Sequence, residues 1–244
     1  MRILRLQTAI EFRLLFRQRE TVFFGLVLPL MFLFFVGVAF RSGVYRGYTS
    51  INSLLPPYLV MAIMSIAVVN LGISFATQRA TGALKRFGGT PLPRTTLVLA
   101  KVLSSAVLIA VSCILLAVVS IGLYGMRTQG NPLWALLVLV IGIAAFAAIG
   151  IALGGSIAAD GAAAVTNAIY LPLLFLGGSF VPVSKLPRPL ADLAWALPPA
   201  HLVRALDTVL IHGQSLASTG WDLPIVAAWG LAAVLAASRW LSWE

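Results

Sequence analysis

Charge is scarce in this chain: 10% of its 244 residues are Asp, Glu, Lys or Arg, where a soluble domain carries about 25%. Hydrophobic residues make up 60%, and the mean hydropathy is +1.00. A globule with so few charges could not cover its own surface, so a soluble fold is excluded. Disorder is excluded by the opposite argument, since no long polar tract exists. Cysteine is scarcer still. Cys113 stands alone, which rules out an intrachain disulfide framework and a four-cysteine metal site, and its apolar setting reads as a buried bystander. The two histidines, His201 and His212, share no metal-ligand spacing. H-E-x-x-H and G-x-S-x-G are both absent, so neither a zinc nor a serine hydrolase is encoded. No G-x-x-x-x-G-K-[ST] occurs and no lysine follows a glycine, so the chain has no P-loop. Catalytic, cofactor-binding and metal-ligating residues are all expected to be lacking. What remains is an all-α polytopic membrane protein.

Spanning the hydrocarbon core takes about 20 apolar residues per helix. Six runs qualify or nearly so: 21–40, 57–78, 102–126, 133–159, 163–180 and 223–240. The last is short, but Trp221, Trp240 and Trp243 flank it as interfacial anchors. The first is too long for a signal-peptide core and is expected to be retained. No alternating ten-residue pattern repeats, which excludes a β-barrel. Six spans put both termini on one side. With that side as the cytoplasm, it collects eleven of the 17 Lys and Arg residues, so both termini and the loop 79–101 are expected inside a cytoplasmic membrane. The net charge of +10 is thereby a matter of topology, and no aromatic-interleaved basic stripe of nucleic-acid type occurs.

Four segments lie between or before the spans. In residues 1–20, Arg2, Arg5, Arg13, Arg17 and Glu20 share one helical arc while Ile3, Ile10 and Leu14 share another. This reads as an amphipathic helix resting on membrane lipid. Glu11 breaks the pattern by projecting into the apolar side. It is either a solvated edge charge or a buried contact to a partner or to the next loop. Residues 82–90 read as a short protruding helix, with Leu84 and Phe87 on one face and Gly88-Gly89 and Pro91 ending it. An exposed apolar pair seeks a protein pocket; the bland alternative is a basic loop lying on anionic lipid. Gly154 to Gly161 form a tight turn where Asp160 is placed to cap the fifth span. Residues 181–222 are apolar for an exposed segment and read as two short helices that dip into the outer leaflet and return.

No ionisable residue falls mid-membrane, so the relay of an ion-coupled carrier is missing. The polar residues within spans are Asn70, Ser74 and Thr77, on one face of the second, and Thr166 and Asn167 near the inner end of the fifth. They serve either as hydrogen-bonding glue between helices, the simpler reading, or as the lining of a substrate path. Gly150-x-x-x-Gly154 is a close-packing motif on the fourth span.

In this order the parts resemble the permease subunit of a type-2 ABC transporter. The local matches are Gly82-x-Leu84-Lys85-Arg86-x-x-x-Thr90-Pro91-Leu92, with Lys85 where an acid is common; Leu176 to Pro187 with Gly177-Gly178, Pro182 and Leu186; and Pro198-Pro199 followed by Arg204-Ala-Leu206. The resemblance implies an elbow helix, a coupling helix at 82–90 and a re-entrant hairpin before the last span. It implies partners too: ATPase subunits that bind ATP and Mg on a separate polypeptide, and a second permease subunit, the same or homologous. On this reading Gly82, Leu84, Lys85, Arg86, Phe87, Thr90 and Pro91 couple to the ATPase and Glu11 is an elbow contact; Asn70, Ser74 and Asn167 are the candidates for a pathway lining, with glue the favoured reading for Asn70 and Asn167. The expected function is export of a hydrophobic or amphipathic substrate such as a drug, lipid or lipopeptide. The alternatives are export of a glycan or lipid-linked polysaccharide by the same machinery, and a non-transport membrane enzyme or scaffold.

Overall fold

The structure is a computed structural model and describes residues 2–41, 51–82 and 94–240. The described residues hold helices and turns and no strand. Helix α1 is Arg2–Arg17. It is followed by α2 (Arg19–Phe40) and α3 (Ile51–Ala80). Next come α4 (Arg94–Tyr124), α5 (Pro132–Ser156) and α6 (Ala162–Leu176). Two short helices, α7 (Arg188–Ala196) and α8 (Pro198–Leu206), precede α9 (Asp222–Trp240). Among the described residues, α2, α3, α4, α5, α6 with the 3-10 turn before it, and α9 are long and apolar enough to cross a membrane.

Local chemistry sets many of the ends. Asn131 caps α5, accepting from the Leu133 amide at 2.9 Å, and Pro132 takes the first helical position where no amide partner is needed. Gly178, at φ 83, follows α6, so that helix stops at Leu176 rather than running to 180. Gly82, at φ 67, ends α3. The rest of the expected coupling helix, from residue 83 on, lies outside the described residues. Residues 94–101 are already helical and continuous with the third span, which places Lys101 inside a helix. Asp160 does not cap α6; Gly161 holds that position, with no side-chain bond to the helix.

The long helices surround α3. In its most apolar stretch 78% of the residues are buried, against 22–39% in the other five. Tyr58, Met61, Ile63, Met64 and Ile66 form the centre of the core. Small residues let neighbours close on this centre. A Cβ at Gly150 would collide with the Ala67 carbonyl, and one at Gly154 would sit 2.7 Å from the Phe75 Cβ, so α5 crosses α3 backbone against backbone. On α9, Gly230 does the same against Ala145 of α5. Two of the three π-helical turns among the described residues interrupt long helices, Phe23–Val27 in α2 and Ser65–Asn70 in α3; the third, Asp207–Ile211, follows α8. The turns in α2 and α3 face each other, with Gly25 against Ile66, and Ser112 of α4 donates to the Gly25 carbonyl at 2.9 Å.

Helix α1 packs along α4. Glu11 and Leu15 are buried in that contact, whereas Leu6, Ile10 and Leu14 are about half exposed on the outer side.

Candidate functional site

A partly open cavity of about 510 Å³ lies at the end of the bundle that carries α1. Its walls are the α1–α2 junction, the second half of α3 and the first turns of α6. The structure brings Asn70, Ser74 and Asn167 together on these walls, with Thr77, and the apolar Phe24, Val69 and Ile73 share the lining. The π-helical turns of α2 and α3 both contribute lining residues: Phe24 from one, Ser65, Val69 and Asn70 from the other. A π turn takes one more residue than an α turn and displaces the side chains after it, and such turns are frequent at functional sites.

The polar side chains of the cavity are held differently. The Asn70 amide donates to the Thr21 hydroxyl and, at 3.4 Å, to Gln18 Oε1, which itself accepts from Thr21 at 2.9 Å. Asn70 thus ties α3 to the start of α2 while bordering the cavity. Asn167 donates to the Ala163 carbonyl of its own helix at 2.8 Å and makes no bond to another helix among those described. Thr166 likewise bonds the Ala162 carbonyl at 2.7 Å. Ser74 accepts from Lys101 Nζ at 3.2 Å.

Lys101 also meets Glu11, Nζ to Oε2, at 3.1 Å, and both residues are buried. Glu11 is therefore buried within the chain rather than a solvated edge charge. It joins α1 to α4 and, through Ser74, to α3. Two charges at this depth persist only as a pair, because removing either partner strands the other in a low-dielectric setting. A sequence signal existed. Glu11 is an acid within an apolar arc, Lys101 is a cation within an apolar run, and their signs are opposite. Their adjacency needed the fold.

In the sequence Arg79 is one of the Lys and Arg residues assigned to the cytoplasmic side. It donates through Nη1 to the Gly155 carbonyl and through Nη2 to the Ile157 carbonyl at 2.8 Å. A guanidinium at a helix C-terminus satisfies carbonyls that have no intrahelical partner and offsets the negative end of the dipole.

The opposite end carries a network that the sequence did not reveal. Asp222, buried at the start of α9, accepts from Arg204 Nε at 2.7 Å and pairs with His201 Nδ1 at 2.6 Å. The other nitrogen of His201 lies 2.7 Å from the Trp195 carbonyl, and Arg204 sits over the Trp195 ring, 4.5 Å from its centroid. This binds α7, α8 and α9 together. Beside it, burial pushes the Asp207 carboxyl above its ordinary range, partly opposed by His212. Among the described residues no group of three or more His, Cys, Asp or Glu side chains is placed to hold a metal ion.

The chain's relatives agree with a transport role for this architecture. It is 24% identical over 206 residues, 82% of each sequence, to a Bacillus subtilis (strain 168) protein named "Putative transport permease YvfS". The sequence profile of the ABC-2 type transporters matches residues 4–211, which takes in everything from α1 through the π turn after α8. With that match over most of its length, this multi-pass membrane protein belongs to the ABC-2 type transporter family.

Proposed function

We propose that the chain is the permease subunit of an ATP-binding cassette exporter in the cytoplasmic membrane. It works with ATPase subunits on a separate polypeptide, which bind ATP and Mg, and with a second permease subunit, the same or homologous. Its cargo is hydrophobic or amphipathic. The observation that carries this reading is the cavity of about 510 Å³, whose lining combines Asn70, Ser74 and Asn167 with Phe24, Val69 and Ile73 and has Arg19 and Glu20 at the α1–α2 junction. A mixed wall of this kind suits a molecule with one polar and one apolar end, since ligand sites combine apolar lining with a few placed polar groups.

The supporting geometry is mechanical. Both termini and residues 79–101 are cytoplasmic on the distribution of Lys and Arg. Helix α1 lies in the inner leaflet interface, with Leu6, Ile10 and Leu14 toward lipid. Residues 82–90 dock on the ATPase, with Leu84 and Phe87 as apolar anchors and Lys85 and Arg86 at the rim. Helices α7 and α8 form a hairpin in the outer leaflet. Closure of the ATPase pair on ATP moves the inner ends of the spans and switches the cavity from one side to the other.

Two measurements test this. A tagged chain should co-purify with an ATPase, whose turnover in co-reconstituted liposomes should rise with amphipathic cargo. In a Cys113→Ala background, an impermeant maleimide applied to intact cells should label a cysteine at 188 and spare one at 85. Absence of any co-purifying ATPase overturns the assignment to an exporter, and the reverse labelling pattern overturns the orientation.

A further inference from the structure

We infer that Arg79 is the positioning residue that makes the inner ends of α3, α5 and α6 one rigid body, so that the coupling segment and a wall of the cavity move together. The inference rests on the cavity and coupling reading above and adds a residue to it.

Three contacts at one seam carry the argument. Gly154 of α5 abuts Gly72 and Phe75 of α3, close enough that no side chain fits between them. At the same level, Gly72 lies under Thr166 of α6: a Cβ built on Gly72 would be 3.2 Å from the Thr166 methyl. One turn beyond Phe75, Arg79 reaches across to the carbonyls of Gly155 and Ile157. Its two bonds go to backbone, not to side chains, so they fix the position of the chain itself where α5 gives way to the turn into α6. Three residues after Arg79, Gly82 ends α3 and the proposed coupling segment begins. Five residues after Ile157, α6 starts, and its Ala163, Asn167 and Tyr170 line the cavity.

The facing wall is attached at other points of α3 and α4, away from the α5–α6 turn. The α1–α2 junction is tied to α3 through Asn70, and α1 to α4 through Glu11 and Lys101. Displacement of the coupling segment is therefore delivered by Arg79 to the α5–α6 turn and so to α6. Without the guanidinium the glycine seam still holds α3 against α5, but the turn after Ser156 loses its two bonds to α3 and need not follow it. Lysine at 79 retains the charge but has no planar fork able to reach two carbonyls at once.

The test uses the full chain co-expressed with its ATPase in lipid nanodiscs, with Cys113→Ala and Ala163→Cys as a reporter on the cavity wall. Maleimide labelling of position 163 is timed with and without ATP and vanadate. The nucleotide should change the rate about tenfold in the parent. Arg79→Leu and the milder Arg79→Gln should retain the ATPase in pull-down yet lose most of that change, and Arg79→Lys should fall between. A helix-packing role alone would lower the melting temperature without abolishing the nucleotide response. A full response in both Arg79→Leu and Arg79→Gln overturns the inference. No response in the parent, or no ATPase bound, overturns the underlying exporter reading instead.

Discussion

At residue scale, the buried Glu11–Lys101 pair gives the sharpest prediction. Both groups are buried, and Lys101 has Ser74 as a further partner. Glu11→Leu or Lys101→Met alone should cost about 3–5 kcal/mol by stranding the remaining charge, whereas the double replacement should recover much of the loss. Thermal unfolding of the four forms in detergent gives the coupling energy as a double-mutant cycle. Additive losses would show that the pair does not act as one. The buried Asp222 carboxylate has two partners. Asp222→Ala removes the acceptor shared by His201 and Arg204; because the Arg204 side chain is half exposed and can turn to water, the loss should be smaller, about 1–3 kcal/mol. The damage should be local, with proteolysis of intact protein appearing first between α8 and α9.

At element scale, the seam between α3 and α5 is decided by glycine. Gly150→Ala pushes a methyl group into the Ala67 carbonyl, so the helices must part. Overpacking of this kind typically costs about 1–3 kcal/mol. Gly122 of α4 offers the control, because a Cβ there meets nothing within 4 Å. Gly122→Ala should leave stability unchanged or raise it by up to about 1 kcal/mol through helix propensity. Comparing the melting temperatures of the two variants separates the seam from glycine content in general. If both variants melt alike, close approach at Gly150 is not what holds α3 and α5 together.

At the scale of the whole molecule, transport requires that a signal at residues 82–90 reach the cavity. Leu84→Ala with Phe87→Ala should detach or uncouple the ATPase while the permease still inserts. Truncating central apolar anchors typically costs at least about 2 kcal/mol each. Changes at Lys85 should act more weakly and depend on salt. Pull-down of the ATPase together with cargo-stimulated turnover reads the outcome. Normal binding and normal turnover in the double variant would remove this loop from the coupling path and leave α1, around Glu11, as the next candidate.

Composition and run length by themselves determined an all-helical membrane protein with six candidate spans, because lipid leaves a chain of this hydropathy few alternatives to the helix. The Gly150-x-x-x-Gly154 spacing was also legible, since it can be read along one helix without knowing its partner. The polar face of Asn70, Ser74 and Thr77 followed from helical periodicity alone. Its setting did not. Only the tertiary structure decided that this face borders a cavity with Asn167, that Glu11 meets Lys101, and that Asp222 gathers His201 and Arg204. The π turns of α2 and α3 were equally invisible, as they hang on packing between those helices rather than on any residue type. The physical reason is common to all of these. Periodicity reports which side of a helix a residue occupies, but the partner on the next helix lies up to 90 residues away and is chosen by how the helices pack.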